Sequence, residues 1–283
     1  MDLRPALTAR PPRSAADGHA ATVTATDGAP GRRRLRIDGT DVVSFVLGAA
    51  ILVAVASAIK WSFVATLDPG VLLQYWRPLL RGALTTLAIT GAALAVGLAV
   101  GILLAVLQQL PIGPARWLIL VYVEVWRNTP LIVQLFWIHF GLPLLTGIST
   151  TAFASGFLAL ALQSSAYLAD IARAGIQAVP RGQWEAARAL GLPAVSLWGE
   201  IVLPQALRVM IPPFTNLALS FLNGSALLGL LQVGELMTAA TRISDYTFKP
   251  IEVMSAAGLL YLLLNLAIGR AAQGLERLTA VPR

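Results

Sequence analysis

Six long apolar runs divide this sequence: Val42–Ile59, Gly82–Leu107, Trp117–Leu145, Ala152–Ile171, Gln205–Leu231 and Ile251–Ile268. Each is long enough to cross a hydrocarbon layer of ~30 Å at ~1.5 Å per residue. Inside such a layer no water serves the backbone N–H and C=O groups, so a spanning segment is a helix or part of a closed barrel. Runs of this length predict helices. The expected fold is therefore all-α, a polytopic membrane helix bundle of about six transmembrane helices. Composition agrees, with 57% hydrophobic and 12% charged residues, against about 25% charged in soluble domains. The net charge of +7 comes mostly from arginines at the edges of apolar runs and in one N-terminal cluster, which is a pattern of membrane orientation and not a nucleic-acid groove. The chain has no cysteine, which excludes disulfides, thiol chemistry and a Cys zinc site. His19 and His139 are too far apart in sequence to suggest a metal cluster.

Residues 1–40 are rich in Ala, Thr, Pro, Gly and Arg, lack hydrophobic periodicity, and read as a disordered basic tail. Arg32, Arg33, Arg34 and Arg36 stand just before the first apolar run, as a cytoplasmic retention signal or a contact for anionic headgroups. Residues 41–67 read as an extra N-terminal transmembrane helix. Ala56-Ser57-Ala58 also fits a signal-peptide cleavage site, but the run starts far later than in an ordinary signal, and Lys60-Trp61 reads as an interfacial anchor. Asp68–Arg81, with Pro69, Gly70 and Pro78, reads as a polar connection. In the second span Gly97 and Gly101 form a small-xxx-small pair that admits another helix closely. A tight turn is expected at Pro111-Ile112-Gly113-Pro114.

Trp117–Leu145 is too long for one straight span, and Thr129, preceding Pro130, is disfavoured as helical, so a break is expected there. Glu124 and Arg127 each cost roughly 3 kcal/mol at a bilayer centre on insertion scales, and three positions apart they share a helix face. Either they line a route or subunit interface, or they are an interfacial pair at a helix end. Gly141–Thr151 reads as an outer loop. The next span carries Gln163, Tyr167 and Asp170 in its polar second half, with Arg173 one turn beyond Asp170 as its candidate partner. In Gln205–Leu231, Asn216, Ser220, Asn223 and Ser225 form a stripe that lines a translocation path or glues helices together. Val233–Pro250 reads as a polar outer loop.

Between two of these spans lies a polar island, Val179–Pro204. Pro180 stops the preceding helix, a short helix over Gln183–Leu190 places Glu185 in its first turn, and Gly191 is a C-terminal stop. Pro193 prevents resumption, Ala194–Glu200 suits another short turn, and Leu203-Pro204 opens the next helix. Trp184, Ala186, Ala187, Leu190 and Leu192 keep the small helix apolar enough to act as a peg for a socket on another protein.

Glu185-Ala186-Ala187, three residues, Gly191, nine residues and Ile201-Val202-Leu203-Pro204 match the EAA motif in residues and spacing. The chain thereby resembles the permease subunits of binding-protein-dependent ABC importers. Arg127 to Phe136 and Ala166 to Gln177 resemble segments of the polar amino-acid permeases. The resemblance implies a MetI-like permease core of five helices plus one N-terminal helix. The permease domain would span residues 80–275, the coupling segment 179–204, and a cytoplasmic tail 276–283. It implies that Trp184, Glu185, Ala186, Ala187, Gly191, Leu203 and Pro204 contact an ATPase, and that Arg127, Thr129 and Pro130 break a helix. The candidate path is Gln163, Tyr167, Asp170, Asn216, Ser220, Asn223 and Ser225. Asn223-Gly224 replaces a Lys-Asp pair of the family, and Asp170 stands where the family usually has Glu, so substrate inferences from the former segment are weakened.

The resemblance also implies a dimer of ATPase subunits, a second permease subunit (identical or homologous) and an extracytoplasmic solute-binding protein that delivers polar or charged amino acids. No phosphate-cradling glycine-rich loop occurs in the sequence, so ATP and Mg would be held by the partner, with no cofactor, metal or chemical catalysis on this chain. The Lys/Arg bias puts both termini in the cytoplasm, and the resemblance implies the bacterial inner membrane. A coupled secondary transporter would carry inverted repeats and deep ionisable groups, which the sequence does not show. A membrane scaffold has no use for the EAA spacing.

Overall fold

The computed structural model describes residues 39–109 and 113–279. Arg32, Arg33, Arg34 and Arg36, residues 1–38 of the expected tail, the Pro111-Ile112 half of the expected turn and Arg283 lie outside the described residues. Among the described residues every regular element is helical. The chain divides into two compact units, Met1–Trp61 and Ser62–Arg283.

In the first unit, α1 (Gly39–Ala58) carries the uninterrupted apolar stretch Val43–Ala58. Trp61 Nε1 donates to the Ala56 carbonyl at 3.0 Å, which folds the indole back along the helix end.

The second unit contains eight helices among the described residues that matter for function. α2 (Gly70–Leu107) has 38 residues, about 57 Å at ~1.5 Å per residue, and outreaches the hydrocarbon layer. The expected polar connection Asp68–Arg81 is thus helical from Gly70 onward. Val71, Leu79 and Ala83 give that stretch an apolar face, which it buries against a helix absent from the sequence reading. α3 (Gly113–Asn128) and α4 (Leu131–Thr146) meet at 106°. α4 continues through a π turn at Trp137–Gly141 to Thr146, so the expected loop from Gly141 begins later. α5 (Ala152–Gln177) starts from the Thr151 side chain, which accepts from Ala154 N at 3.2 Å, as an N-cap does. It runs past Ile171 because Ala172 and Ile176 still have a core to enter. α6 (Arg181–Ala189) is the short helix of the polar island. α7 (Ala194–Leu231) passes through a π turn at Leu197–Val202 and ends in a 3₁₀ stretch, Ser225–Leu231. Leu203-Pro204 therefore does not open a new helix. The wide turn falls where Pro204 has no N–H to donate, and the helix carries on through it.

The expected outer loop Val233–Pro250 is mostly α8 (Leu236–Thr247). Its N-cap is Glu235, which is fully buried. One carboxyl oxygen accepts from Thr238 N at 2.6 Å and Thr238 Oγ1 at 3.0 Å. The other accepts from Met237 N at 2.7 Å and from Tyr261 Oη of α9 (Pro250–Thr279) at 3.0 Å. Thr86 of α2 accepts from Leu236 N at 3.1 Å beside it. One acidic side chain thus ties α8 to α2 and α9, and Leu236, Ala240 and Ile243 fill the space between them. At the same end of the bundle Lys249 pairs with Asp68, and Glu252 Oε1 accepts from Asp68 N at 3.1 Å. The Lys249 ammonium, with the Gly70 N–H, holds the exposed Asp68 carboxyl below its ordinary pKa.

α5 is the axis of the bundle. Of its apolar window 61% is buried, against 11% for α9. Its closest neighbour is α2, and the small-xxx-small pair is the reason. A Cβ built on Gly101 would lie 2.8 Å from Ala169 N and from Leu168 Cβ, and one on Gly97 would run into Ser164. Gly101→Val is expected to push α2 off α5 at a cost of about 1–3 kcal/mol. The yield of monodisperse detergent-solubilised protein should fall, whereas the same change at Gly91, where a Cβ meets nothing within 4 Å, should leave it unaltered.

Candidate functional site

The break between α3 and α4 is set by proline chemistry. Pro130 has no N–H for the Trp126 carbonyl, and the extended ψ of 137° at Pro130 takes the chain out of helical register. Backbone carbonyls are thereby freed in an otherwise apolar segment, where an unpaired group is costly. Side chains take their place. Gln134 Nε2 donates to the Trp126 carbonyl at 2.7 Å and the Thr129 carbonyl at 3.0 Å. Gln163 Nε2 of α5 donates to the same Thr129 carbonyl at 3.0 Å, and Tyr167 Oη donates to the Arg127 carbonyl at 3.1 Å. The sequence reading missed the part played by Gln134. Its signal was available as an amide side chain one turn beyond a proline in an apolar segment.

The break opens onto a cavity of about 510 Å3. Arg127, Asn128, Thr129 and Pro130 form one wall, Gln163 and Tyr167 of α5 a second, and Leu217, Ser220, Phe221 and Gly224 of α7 a third. Tyr167 and Phe221 meet edge to face at 6.1 Å. Of the residues proposed for a path, Gln163, Tyr167 and Ser220 share this cavity with the broken-helix residues. Asp170 lies beside it and pairs with Arg127, while Arg173 Nη2 holds its other oxygen at 2.9 Å. Arg127 is also 3.6 Å from Glu124, so the expected one-face pair forms, but Asp170 is the closer partner. Asn216, Asn223 and Ser225 do not line the cavity. Asn216 is exposed on α7. Asn223 accepts from Asn265 of α9 at 2.8 Å, the bundle-gluing alternative of the sequence reading. Ser225 is buried and donates back to the Leu222 carbonyl at 2.7 Å.

α5 and α7, two walls of the cavity, are joined by the polar island. Pro180 adopts an extended ψ of 137° and α6 begins at Arg181, two residues earlier than the sequence suggested. Glu185 consequently sits in the second turn and not the first. The far end is closed by Gly191 at φ +66°, with Leu192 N donating to the Ala187 carbonyl at 3.1 Å and Gly191 N to the Arg188 carbonyl at 3.0 Å. These two bonds are those of a Schellman cap. Ala187 is buried, and Trp184 stands edge to face with Trp198 at 5.3 Å, so these two residues hold the peg onto Ala105, Ile176 and Val202. Glu185, Ala186 and Gly191 are exposed, as is Leu203, while Pro204 is half-buried in α7. Leu190, at the end of α6, is 77% exposed and Val195, in the first turn of α7, is 83% exposed.

A cavity of mixed polar and apolar lining in a bundle of membrane-length helices, two of whose walls are joined by a short exposed helix, is the architecture of a membrane transport subunit. The chain belongs to the family of binding-protein-dependent transport system inner membrane components, whose model matches residues 97–281. It is 35% identical to the arginine transport system permease protein ArtQ of Bacillus subtilis, over 70% of this chain and 91% of that protein. It is 32% identical to the octopine transport system permease protein OccM of Rhizobium radiobacter, over 72% of this chain and 86% of that one. Among solved structures it is similar to an amino acid ABC transporter crystallised with histidines, with a TM-score of 0.70 and 33% identity over 75% of this chain and 99% of that one. The MetNI methionine ABC transporter in inward-facing conformations shares the fold, with a TM-score of 0.63 at 23% identity.

Proposed function

We propose that this chain is the membrane permease subunit of an ATP-driven importer of polar or charged amino acids or close analogues. The observation that carries the reading is the connection of the peg. Glu185 and Leu190 are exposed on or at the end of a capped helix that short breaks at residues 178–180 and 191–193 join to α5 and α7, so a force on the peg reaches two walls of the cavity at once. In this reading a dimer of ATPase subunits, which holds ATP and Mg, grips the peg through Glu185, Ala186 and Gly191. Trp184, Ala187, Leu203 and Pro204 keep it rigid. A second permease subunit, identical or homologous, completes the pore, and an extracytoplasmic binding protein delivers the solute to the end away from the peg. In this reading both termini are cytoplasmic in a bacterial cell, and α1 counts as a sixth span beside five in the second unit. The relatives' names support amino acids as the solute, and a lining that sets the Arg127 cation among Asn128, Thr129 and Ser220, with Leu217 and Phe221 opposite, suits a molecule with both a carboxylate and an apolar part.

The test is ATPase activity of this chain co-expressed with its neighbouring ATPase and permease genes, reconstituted in lipid with the binding protein and a panel of amino acids. Stimulation of several-fold by a chemically related group of amino acids is expected. An assembled complex that no amino acid stimulates would overturn the substrate class, and failure to assemble with any ATPase would overturn the permease reading.

A further inference from the structure

Two cavities follow one another along the groove between α5 and α7. The upper one, described above, takes Tyr167 from α5 and Ser220 and Phe221 from α7. The lower one, of about 310 Å3, takes Asp170, Arg173 and Ala174 from α5 and Val209 and Pro213 from α7. The helices run antiparallel here, since Tyr167 faces Phe221 and Gly175 faces Met210, and the lower cavity is therefore the one nearer the peg. Arg127 belongs to the wall of the upper cavity and its partner Asp170 to the wall of the lower. The ion pair stands between the two.

We propose that the Arg127–Asp170 pair is the gate between these cavities, and that the carboxylate of the solute opens it by displacing Asp170 from Arg127. This rests on the amino-acid reading above. Three observations favour such an exchange. Arg127 is the one charged side chain on the upper cavity's wall among the described residues, so an entering carboxylate has a single counter-charge to find. Its guanidinium offers five donors in a planar fork that fits a carboxylate. Asp170 is not stranded when Arg127 leaves it, because Arg173 stays 2.9 Å away, and the exchange avoids the cost of an unpaired charge at this depth. The neighbouring stretch of α7 is suited to yield. Pro212 and Pro213 leave the carbonyls of Arg208 and Val209 without their helical donors, which weakens the helix beside the lower cavity.

The experiment places Ser220→Cys, the only cysteine in an otherwise cysteine-free chain, in the complete transporter in inside-out membrane vesicles. It follows the rate at which a membrane-impermeant thiol reagent reaches that cysteine from the peg side. In the unmodified background the rate is expected to be low, and to rise when an amino acid that stimulates the ATPase is added but not when its decarboxylated amine is. Asp170→Asn should raise the rate about fivefold without solute, the population change that releasing a partly exposed ion pair allows. Arg127→Lys, which keeps the charge and loses the fork, should raise it too, and serves if the Asp170 variant does not assemble. Unchanged labelling in both variants, or equal acceleration by amine and amino acid, would overturn the gate. If no amino acid stimulates the wild-type ATPase, the amino-acid reading has failed on its own account. The rates in Asp170→Asn and Arg127→Lys then decide whether the pair is a gate.

Discussion

Gly191→Val is expected to uncouple the transporter: ATPase subunits no longer co-purify with the chain, and uptake falls about tenfold or more. The reasoning is local. Gly191 sits at φ +66° with nothing within 4 Å of an added Cβ, so the loss comes from the backbone and not from a clash with neighbours. Left-handed backbone costs an ordinary L-residue roughly 1–2 kcal/mol, and a β-branched side chain more. Relief of that strain requires giving up the bonds from Gly191 N and Leu192 N to the Arg188 and Ala187 carbonyls. The last turn of α6 then frays and Leu190 and Val195 lose their fixed relation to Glu185, at ~1.4 kcal/mol per tenfold in occupancy of the docking shape. Pull-down with the ATPase and uptake in cells are the measurements. The chain should still insert and purify, because the peg's anchor, Ala187 and Trp184, is untouched. Co-purification at the wild-type level would show that the cap does not shape the contact.

The second large effect is on stability. Glu235→Ala removes the acceptor for Thr238 N, Met237 N and the Tyr261 hydroxyl in one step, in a site with no access to water. A lost N-cap together with stranded donors amounts to about 3 kcal/mol or more. For a domain of this size the unfolding temperature in detergent is expected to drop by ~5–10 °C. Glu235→Gln retains one carbonyl acceptor and should lose less than half as much. A Tyr261→Phe change, which removes a single donor, should cost about 1 kcal/mol. An Ala variant that melts with the wild type would mean that α8 is held by Leu236, Ala240 and Ile243 alone.

What could be read in advance was what depends on near neighbours in the chain. Thr129-Pro130 announces a break because the proline acts on the preceding residue and on a carbonyl one turn back. Pro180 and Gly191 delimit the peg for similar reasons, although the helix starts two residues early because an extended proline can directly precede a first turn. Gly97 and Gly101 announced a close helix neighbour but not which one. The misses share a different cause. α8 looked like a loop because Glu235, Arg242 and Asp245 are polar, and only the tertiary site shows Glu235 to be a buried cap. The bond of Asn223 to Asn265 was not legible because the two are 42 positions apart. The pairing of Asp170 with Arg173, one turn away, was legible and is present, whereas the approach of Arg127 depends on how two helices cross.

The joint between α3 and α4 has a mechanical consequence. Its carbonyls are clamped by Gln163 and Tyr167, residues that themselves line the cavity proposed for the solute. The 106° bend therefore behaves as a braced elbow: it has no slack of its own and follows α5 wherever α5 goes. In the proposed function a stroke delivered to the peg would reach the elbow through that brace, and the cavity would change shape as a linkage and not as a collection of loose walls.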